Sequence, residues 1–255
     1  MTENNKLSKL YNSKFFTGQV DKSHRSAKEY MTYLFNFYKP NSIVDFGCGT
    51  GAWLMVAQDL GVKDLLGIDG EWIQGQQIDT EKINYKLENL EQSIKLQRKF
   101  DLAISLEVAE HLTENRAKSF VSDICCAADL VLFGAAIKGQ GGINHINEQL
   151  PSYWINLFRE NNYECLDFFR GNFWDSQNIG SGYIQNTFLY LKKGDERKKL
   201  FSQAEIKPIY DVYHPIIFER YRHPKYCGLK TYIRTTPRIP QLIVKAISRR
   251  LRSRK

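Results

Sequence analysis

The stretch Val44-Asp45-Phe46-Gly47-Cys48-Gly49-Thr50-Gly51 decides how this chain is read. Before the glycines, Ile43 to Phe46 is a short apolar run of strand type. After them, Ala52 to Leu60 has helical spacing and stops at Gly61. A strand, a glycine turn and a helix N-terminus together suit a nucleotide-like ligand. Glycines let the ligand approach the backbone, and free N–H groups line the turn. Taken alone, the segment also fits an ordinary tight strand–helix turn.

Further strands follow at Leu65–Ile68, ending on Asp69-Gly70, at Tyr85–Leu87, at Phe100–Leu106 and at Leu130–Ala136. Helical stretches cover Ser26–Tyr38, Glu114–Ala127 and Pro151–Asn161. Strands separated by helices predict a parallel sheet covered on both faces, an α/β architecture. Tyr163–Phe169 and Asn186–Leu191 come after it and are able to pair antiparallel. The domain reading is an arm over 1–25, one domain over 26–194, and an extension over 195–255. The five cysteines are scattered, which argues against a disulfide framework, and Cys125-Cys126 reads as a pair of small buried helix residues.

Two ligands compete for the glycine turn. Gly47, Gly49 and Ala52 satisfy the Gly-x-Gly-x-x-Gly/Ala pattern and Asp69 follows at the usual distance, so NAD is permitted. Asp45 shifts the balance. It ends the strand just before the turn, where a carboxylate repels a pyrophosphate but attracts an ammonium group and favours a sulfonium. Those are the charges of S-adenosylmethionine. Asp69 would accept bonds from the ribose hydroxyls of either ligand.

Residues 44–51 resemble the first motif of class I S-adenosylmethionine-dependent methyltransferases. Leu66-Gly67-Ile68-Asp69-Gly70-Glu71-Trp72 is similar to their second, and the segment Phe100 to Leu112 to their fourth. Gly139 to Gln149, Tyr153-Trp154 and Gln185-Asn186 resemble one bacterial subgroup often associated with surface-polysaccharide biosynthesis. The resemblance runs from about His24 to Leu191 and leaves the C-terminal tail outside. It implies a Rossmann-like fold with a mostly parallel seven-stranded sheet, and S-adenosylmethionine as cofactor. By it, Gly47, Gly49 and Gly51 back the methionine moiety, and Asp69 with Gly70 holds the ribose. Ser105, Leu106 and Glu107 lie beside the methyl group. Arg25 reaches the cofactor carboxylate, unless Arg25-Ser26 only starts a helix. Trp72 covers the adenine or belongs to the core. The family commonly has Asp after the third strand; here Asn89 would supply that acceptor.

The acceptor end is read from the loop after the fifth strand, which lies at the carboxyl ends of the strands, where ligands bind in such sheets. A hydroxyl acceptor is helped by a base, typically by about 10²–10⁴-fold, and an imidazole suits that task. His145 is the expected base, with Glu148 orienting its ring or touching substrate. Asn144, Asn147, Gln149, Tyr183 and Gln185 are expected to bind acceptor hydroxyls. The alternatives are that Asn147 and Glu148 cap the Pro151 helix, that His145 and His111 merely pack, and that Tyr153 and Trp154 belong to the core. The five histidines show no paired ligand spacing, so no metal is expected.

The net charge of +8 is unevenly placed. Twelve of the 36 basic residues and none of the 28 acidic ones lie from Arg220 onward, leaving residues 1–219 at −4. Over 237–255, Leu242, Ile243, Ala246, Ile247 and Leu251 share a helical stripe apart from most of the basic residues. Such a segment suits an anionic membrane surface, RNA phosphates or plain solvent. No apolar run approaches the roughly 20 residues of a spanning helix, and the polar start lacks a secretory pattern. Cytoplasmic residence, with peripheral contact at the inner membrane surface, is the expectation. The function expected is O-methylation of a sugar or sugar-linked phosphate in capsule- or lipopolysaccharide-type glycan formation. Its rivals are an RNA methyltransferase and a non-catalytic cofactor-binding partner of a synthesis complex.

Overall fold

The computed structural model describes residues 13–71, 83–202 and 211–222, with side chains from residue 22 to residue 219 within them. The strands are β1 (Ser42–Phe46), β2 (Asp64–Asp69), β3 (Asn84–Leu87), β4 (Leu102–Leu106), β5 (Leu130–Gly134), β6 (Tyr163–Leu166) and β7 (Phe188–Lys192). The α-helices are α1 (Ser13–Phe35), α2 (Ala52–Asp59), α3 (Glu114–Ala127), α4 (Pro151–Glu160), α5 (Arg170–Phe173), α6 (Ser181–Asn186) and α7 (Pro215–Arg222). One sheet runs β3-β2-β1-β4-β5-β7-β6. Its first five positions are parallel, and β7 is antiparallel to both β5 and β6.

Two apolar layers sandwich the sheet, and the period of two along each strand sorts residues between them. Val44, Phe46, Ala103, Val131, Phe133, Phe188 and Tyr190 face the layer built with α3 and α4. Ile43, Leu102, Ile104, Leu130, Leu132, Leu189 and Leu191 face the layer built with α1 and α2. Burial on both faces explains why β1, β4 and β5 are buried at every position and mostly apolar rather than alternating.

Helix α1 begins at Ser13, well before the expected start near Ser26. The spacing that betrays it is regular only from the buried face formed by Ala27, Tyr30, Met31 and Leu34. Tyr30 meets Trp53 of α2 edge-on at 5.9 Å. Cys126 is exposed, unlike buried Cys125.

The chain divides into a compact unit over 1–214 and a second over 215–255. Residues 195–202 and 211–214, read from sequence as part of an extension, belong to the first unit. Phe201 is buried against Phe168, and the Arg197 guanidinium donates to the Asp101 carbonyl at 3.2 Å. Of the second unit, helix α7 is described. No described helix is long and apolar enough to cross a membrane.

Candidate active site

The sheet order reverses at β1, which has β2 on one side and β4 on the other. The crevice at such a switch point, beyond the carboxyl ends of the strands, is where open α/β sheets bind ligands. The glycine turn opens there. Gly47, Gly49 and Gly51 all have positive φ, at 84°, 53° and 81°. A Cβ on Gly47 would overlap Val108, and one on Gly51 would overlap the Tyr85 hydroxyl, whereas a Cβ on Gly49 would meet nothing within 4 Å. Of the three glycines, Gly49 alone borders open space, where a ligand can lie on the backbone.

Two buried carboxyls flank the turn. Asp69 ends β2 and accepts the N–H groups of Gly49 and Gly70, each at 2.7 Å. Burial pushes its carboxyl up to about 7 against those bonds. Asp45, on β1, is held well above the usual carboxylate range by burial and then by Asp69. Two neighbouring buried carboxyls favour a ligand that brings positive charge.

At the end of β4 the backbone turns sharply, with Glu107 at φ 56°. Its carboxylate accepts from Gln140 Nε2 at 2.8 Å and Asn186 Nδ2 at 2.9 Å, and that amide of Asn186 also reaches Gln140 Oε1. The 3-10 turn Ala109–His111 follows. Its Glu110 is fully buried, and no side-chain donor among the described residues hydrogen-bonds either carboxyl oxygen, the nearby Glu110 and Ala136 N–H groups giving it its polar support. Burial and then the Glu107 charge push that carboxyl well up. The His111 ring sits with Nδ1 3.3 Å from the Asn144 carbonyl. Burial, and then His145, lower it to about 4.

The loop after β5 folds over this turn. Ile146 and Asn147 donate their N–H groups to the Glu110 carbonyl. Asn144, at φ 63°, and Gly141, at φ 72°, make the bends. Glu148 gathers three donors, namely His145 Nδ1 at 2.9 Å and the Gly139 and Gly141 N–H groups at 2.7 Å. Burial raises its carboxyl, yet these bonds outweigh burial and hold it below the usual range. The other ring nitrogen of His145, Nε2, lies 3.9 Å from Glu110 Oε1, and the His111 and His145 rings meet edge-on at 4.9 Å.

The fold thus brings Asp45, Asp69, the glycines, Glu107, His145 and Glu148 to one edge of the sheet. Other expected residues are used differently. Ser105 is fully buried inside β4, and Leu106 belongs to the core. Arg25 lies on an exposed part of α1, and Ser26, inside that helix, accepts the Gly180 N–H at 3.0 Å rather than capping anything. The Asn89 Oδ1 accepts the Glu91 N–H at 3.0 Å, closing its own turn. Tyr183 packs on Trp53 at 5.4 Å with its hydroxyl 3.0 Å from Ser23 Oγ. The Gln185 amide is occupied by the Val212 carbonyl and the His214 N–H. Asn147 Oδ1 accepts from Gln149 Nε2 at 2.9 Å, so Asn147 and Glu148 do not cap α4, which has no side-chain cap. Trp154 is core, against Phe133. Trp72 and the 237–255 segment lie outside the described residues. Gln140 and Glu110 were missed in sequence, although Glu110 beside His111 was a signal. Although no ligand spacing was evident in the sequence, the fold brings one donor atom each of Glu110, His111 and His145 within 4.8 Å of one another.

A family model described as Methyltransferase domain matches residues 19–181. No curated protein matches. Among solved structures, the chain is similar to magnesium protoporphyrin IX methyltransferase from Synechocystis PCC 6803 with bound SAM. The TM-score is 0.51 at 16% identity, covering 76% of this chain and 98% of that one. It is also similar to the plantazolicin methyltransferase BpumL in complex with a desmethyl analogue and SAH, at TM-score 0.50 and 16% identity, covering 71% and 89%.

Proposed function

The chain belongs to the methyltransferase-domain family, and from that premise we propose that it moves the methyl group of S-adenosylmethionine to an oxygen of a polyhydroxylated acceptor. The acceptor we favour is a sugar or sugar-linked phosphate in capsule- or lipopolysaccharide-type glycan formation. One observation carries the donor half. The glycine turn at the switch point is flanked by the buried carboxyls of Asp45 and Asp69, which suit a ligand bearing ammonium and sulfonium charge. The two solved relatives above were crystallised with SAM or SAH. The acceptor half rests on His145 and Glu148 at the same edge, and on the polar stretch 139–149.

Bound there, S-adenosylmethionine supplies an electrophilic methyl on a sulfonium, displaced in line by the acceptor oxygen. Asp69 is placed to take ribose hydroxyls, and Gly49 to let the ligand lie on the backbone. Glu148 holds His145 through Nδ1, so a neutral ring presents its Nε2 lone pair. That lone pair can take the acceptor's proton or bind a cation that polarises its oxygen. Calorimetry with S-adenosylhomocysteine and with NAD tests the donor; tight NAD binding and no S-adenosylhomocysteine binding would overturn it. Methyl transfer assayed over nucleotide sugars, lipid-linked glycans and RNA tests the acceptor, and turnover on RNA alone would replace the glycan reading. His145→Ala is expected to keep S-adenosylhomocysteine binding and to lose at least about 10²-fold in turnover. Full turnover in that variant would remove His145 from the chemistry.

A further inference from the structure

One carboxyl and two imidazoles, those of Glu110, His111 and His145, are gathered beside the turn Ala109–His111. Glu110 is fully buried, and no side-chain donor among the described residues hydrogen-bonds either carboxyl oxygen. His145 Nε2 lies 3.9 Å from Glu110 Oε1. The opposite nitrogen of each ring is already engaged, His145 Nδ1 by Glu148 and His111 Nδ1 by the Asn144 carbonyl. With Nδ1 so engaged, Nε2 of each ring is the nitrogen left to take a ligand. A carboxyl and two imidazoles gathered this closely form a donor set that a shared cation can hold together.

We propose that Glu110, His111 and His145 are the protein ligands of a divalent first-row transition-metal cation of the zinc class. The donor set decides the class. Two imidazoles and one carboxylate suit Zn²⁺ or Co²⁺, whereas Mg²⁺ and Ca²⁺ prefer oxygen cages. Three protein ligands leave a position open, the mark of catalytic rather than structural sites. The donor atoms lie within 4.8 Å of one another. Around a tetrahedral cation with bonds of about 2.0–2.2 Å they would sit about 3.4 Å apart, so each needs to move inward by roughly an ångström or less. Glu148 is then the outer partner that fixes a ligand histidine's tautomer, as such carboxylates do. Gly142 makes room for the arrangement, because a Cβ there would overlap the His145 ring.

The site adjoins the donor loop. Gly47 is bare where Val108 packs against it, and Val108 precedes the turn that carries Glu110 and His111. Resting on the methyl-transfer reading above, the open position holds the acceptor oxygen. Coordination makes its hydroxyl acidic near neutral pH. The proton passes to solvent, the oxygen lone pair forms the new bond to the methyl carbon, and the carbon–sulfur pair remains on sulfur.

The test uses the full chain, stripped with a chelator and titrated with Co²⁺ while visible d–d absorption is followed. One Co²⁺ per chain is expected, displaced by Zn²⁺. Glu148→Gln should weaken Co²⁺ by about 10–100-fold, and His111→Ala, His145→Ala and Glu110→Gln by more. S-adenosylhomocysteine binding by each variant shows that it is folded. Wild-type chain that binds S-adenosylhomocysteine but takes up no Co²⁺ overturns the site, as does equal Co²⁺ binding by the folded variants. If a variant fails to fold, the wild-type titration and the remaining variants decide. Co²⁺ bound in place without any S-adenosylhomocysteine binding would sink the donor reading and leave the cation site standing.

Discussion

Two residues at the glycine turn, Gly47 and Gly49, separate packing from ligand space. Gly47→Ala forces a Cβ into Val108 at φ 84°, so both stability and cofactor binding should fall, stability by about 1–3 kcal/mol. Gly49→Ala meets no neighbour, so it should cost only about 1–2 kcal/mol of left-handed strain while abolishing S-adenosylhomocysteine binding. Thermal melting beside calorimetry checks the contrast; unchanged binding by Gly49→Ala would show that the ligand lies elsewhere. Asp69 adds a pH signature. Its carboxyl titrates at about 7 in the fold and near 3.8 when unfolded. Between those values the native chain holds the extra proton, so stability is highest below about pH 4 on this account, falls as pH rises to 7, and levels off above it. The span is on the order of 4 kcal/mol. Asp45, facing it, adds the same sign, while the Cys48 thiol, pushed up by burial, stays protonated throughout. The melting temperature of ligand-free protein should drop from pH 5 to 8, and Asp69→Asn should flatten the curve. A rise instead would refute the assignment. Asp45, Asp69 and the glycines were legible because their chemistry is local to one strand–turn–helix. Glu110 was not, because its burial and its approach to His145 are made by a distant loop.

At the scale of elements, periodicity served where an element is covered and failed where a side chain is spent on backbone. The bounds of α3 were legible to the residue, since Glu114 starts and Ala127 ends one regular apolar face. The strand read as Tyr163–Phe169 stops at Leu166, because Phe168 and Phe169 turn into the aromatic cluster with Tyr33 instead of continuing the ladder. Gln185 looked like a substrate group because nothing local reveals that residues 212–214 come back to it. Its amide instead fastens that segment to α6, with donor and acceptor both used on backbone groups. Gln185→Ala strands a buried carbonyl and a buried N–H. It should therefore cost about 2–4 kcal/mol of stability and leave S-adenosylhomocysteine affinity within about twofold. A large loss of affinity at unchanged melting temperature would return Gln185 to the site.

At the scale of the whole chain, charge is segregated: −4 over residues 1–219 against twelve basic residues and no acidic ones beyond. Within the first unit, the described buried arginines are paired locally, Arg116 with Asp123 and Arg170 with Asp167. Over 237–255 the apolar stripe and the basic residues are the two components that bind anionic bilayers, with about 1 kcal/mol per basic residue near the surface and attraction that salt screens. An acceptor assembled on a lipid carrier would make such contact useful, by holding the glycine turn and the His145 loop where the substrate is concentrated. The full chain should therefore co-sediment with vesicles containing anionic lipid at low salt. It should release at high salt and ignore neutral vesicles. A chain lacking residues 237–255 should stay in solution while binding S-adenosylhomocysteine as before, because the donor site is built entirely within residues 1–214. Equal sedimentation of the two chains would remove the membrane role, and salt-sensitive capture of the full chain by RNA but not by vesicles would hand the tail to nucleic acid.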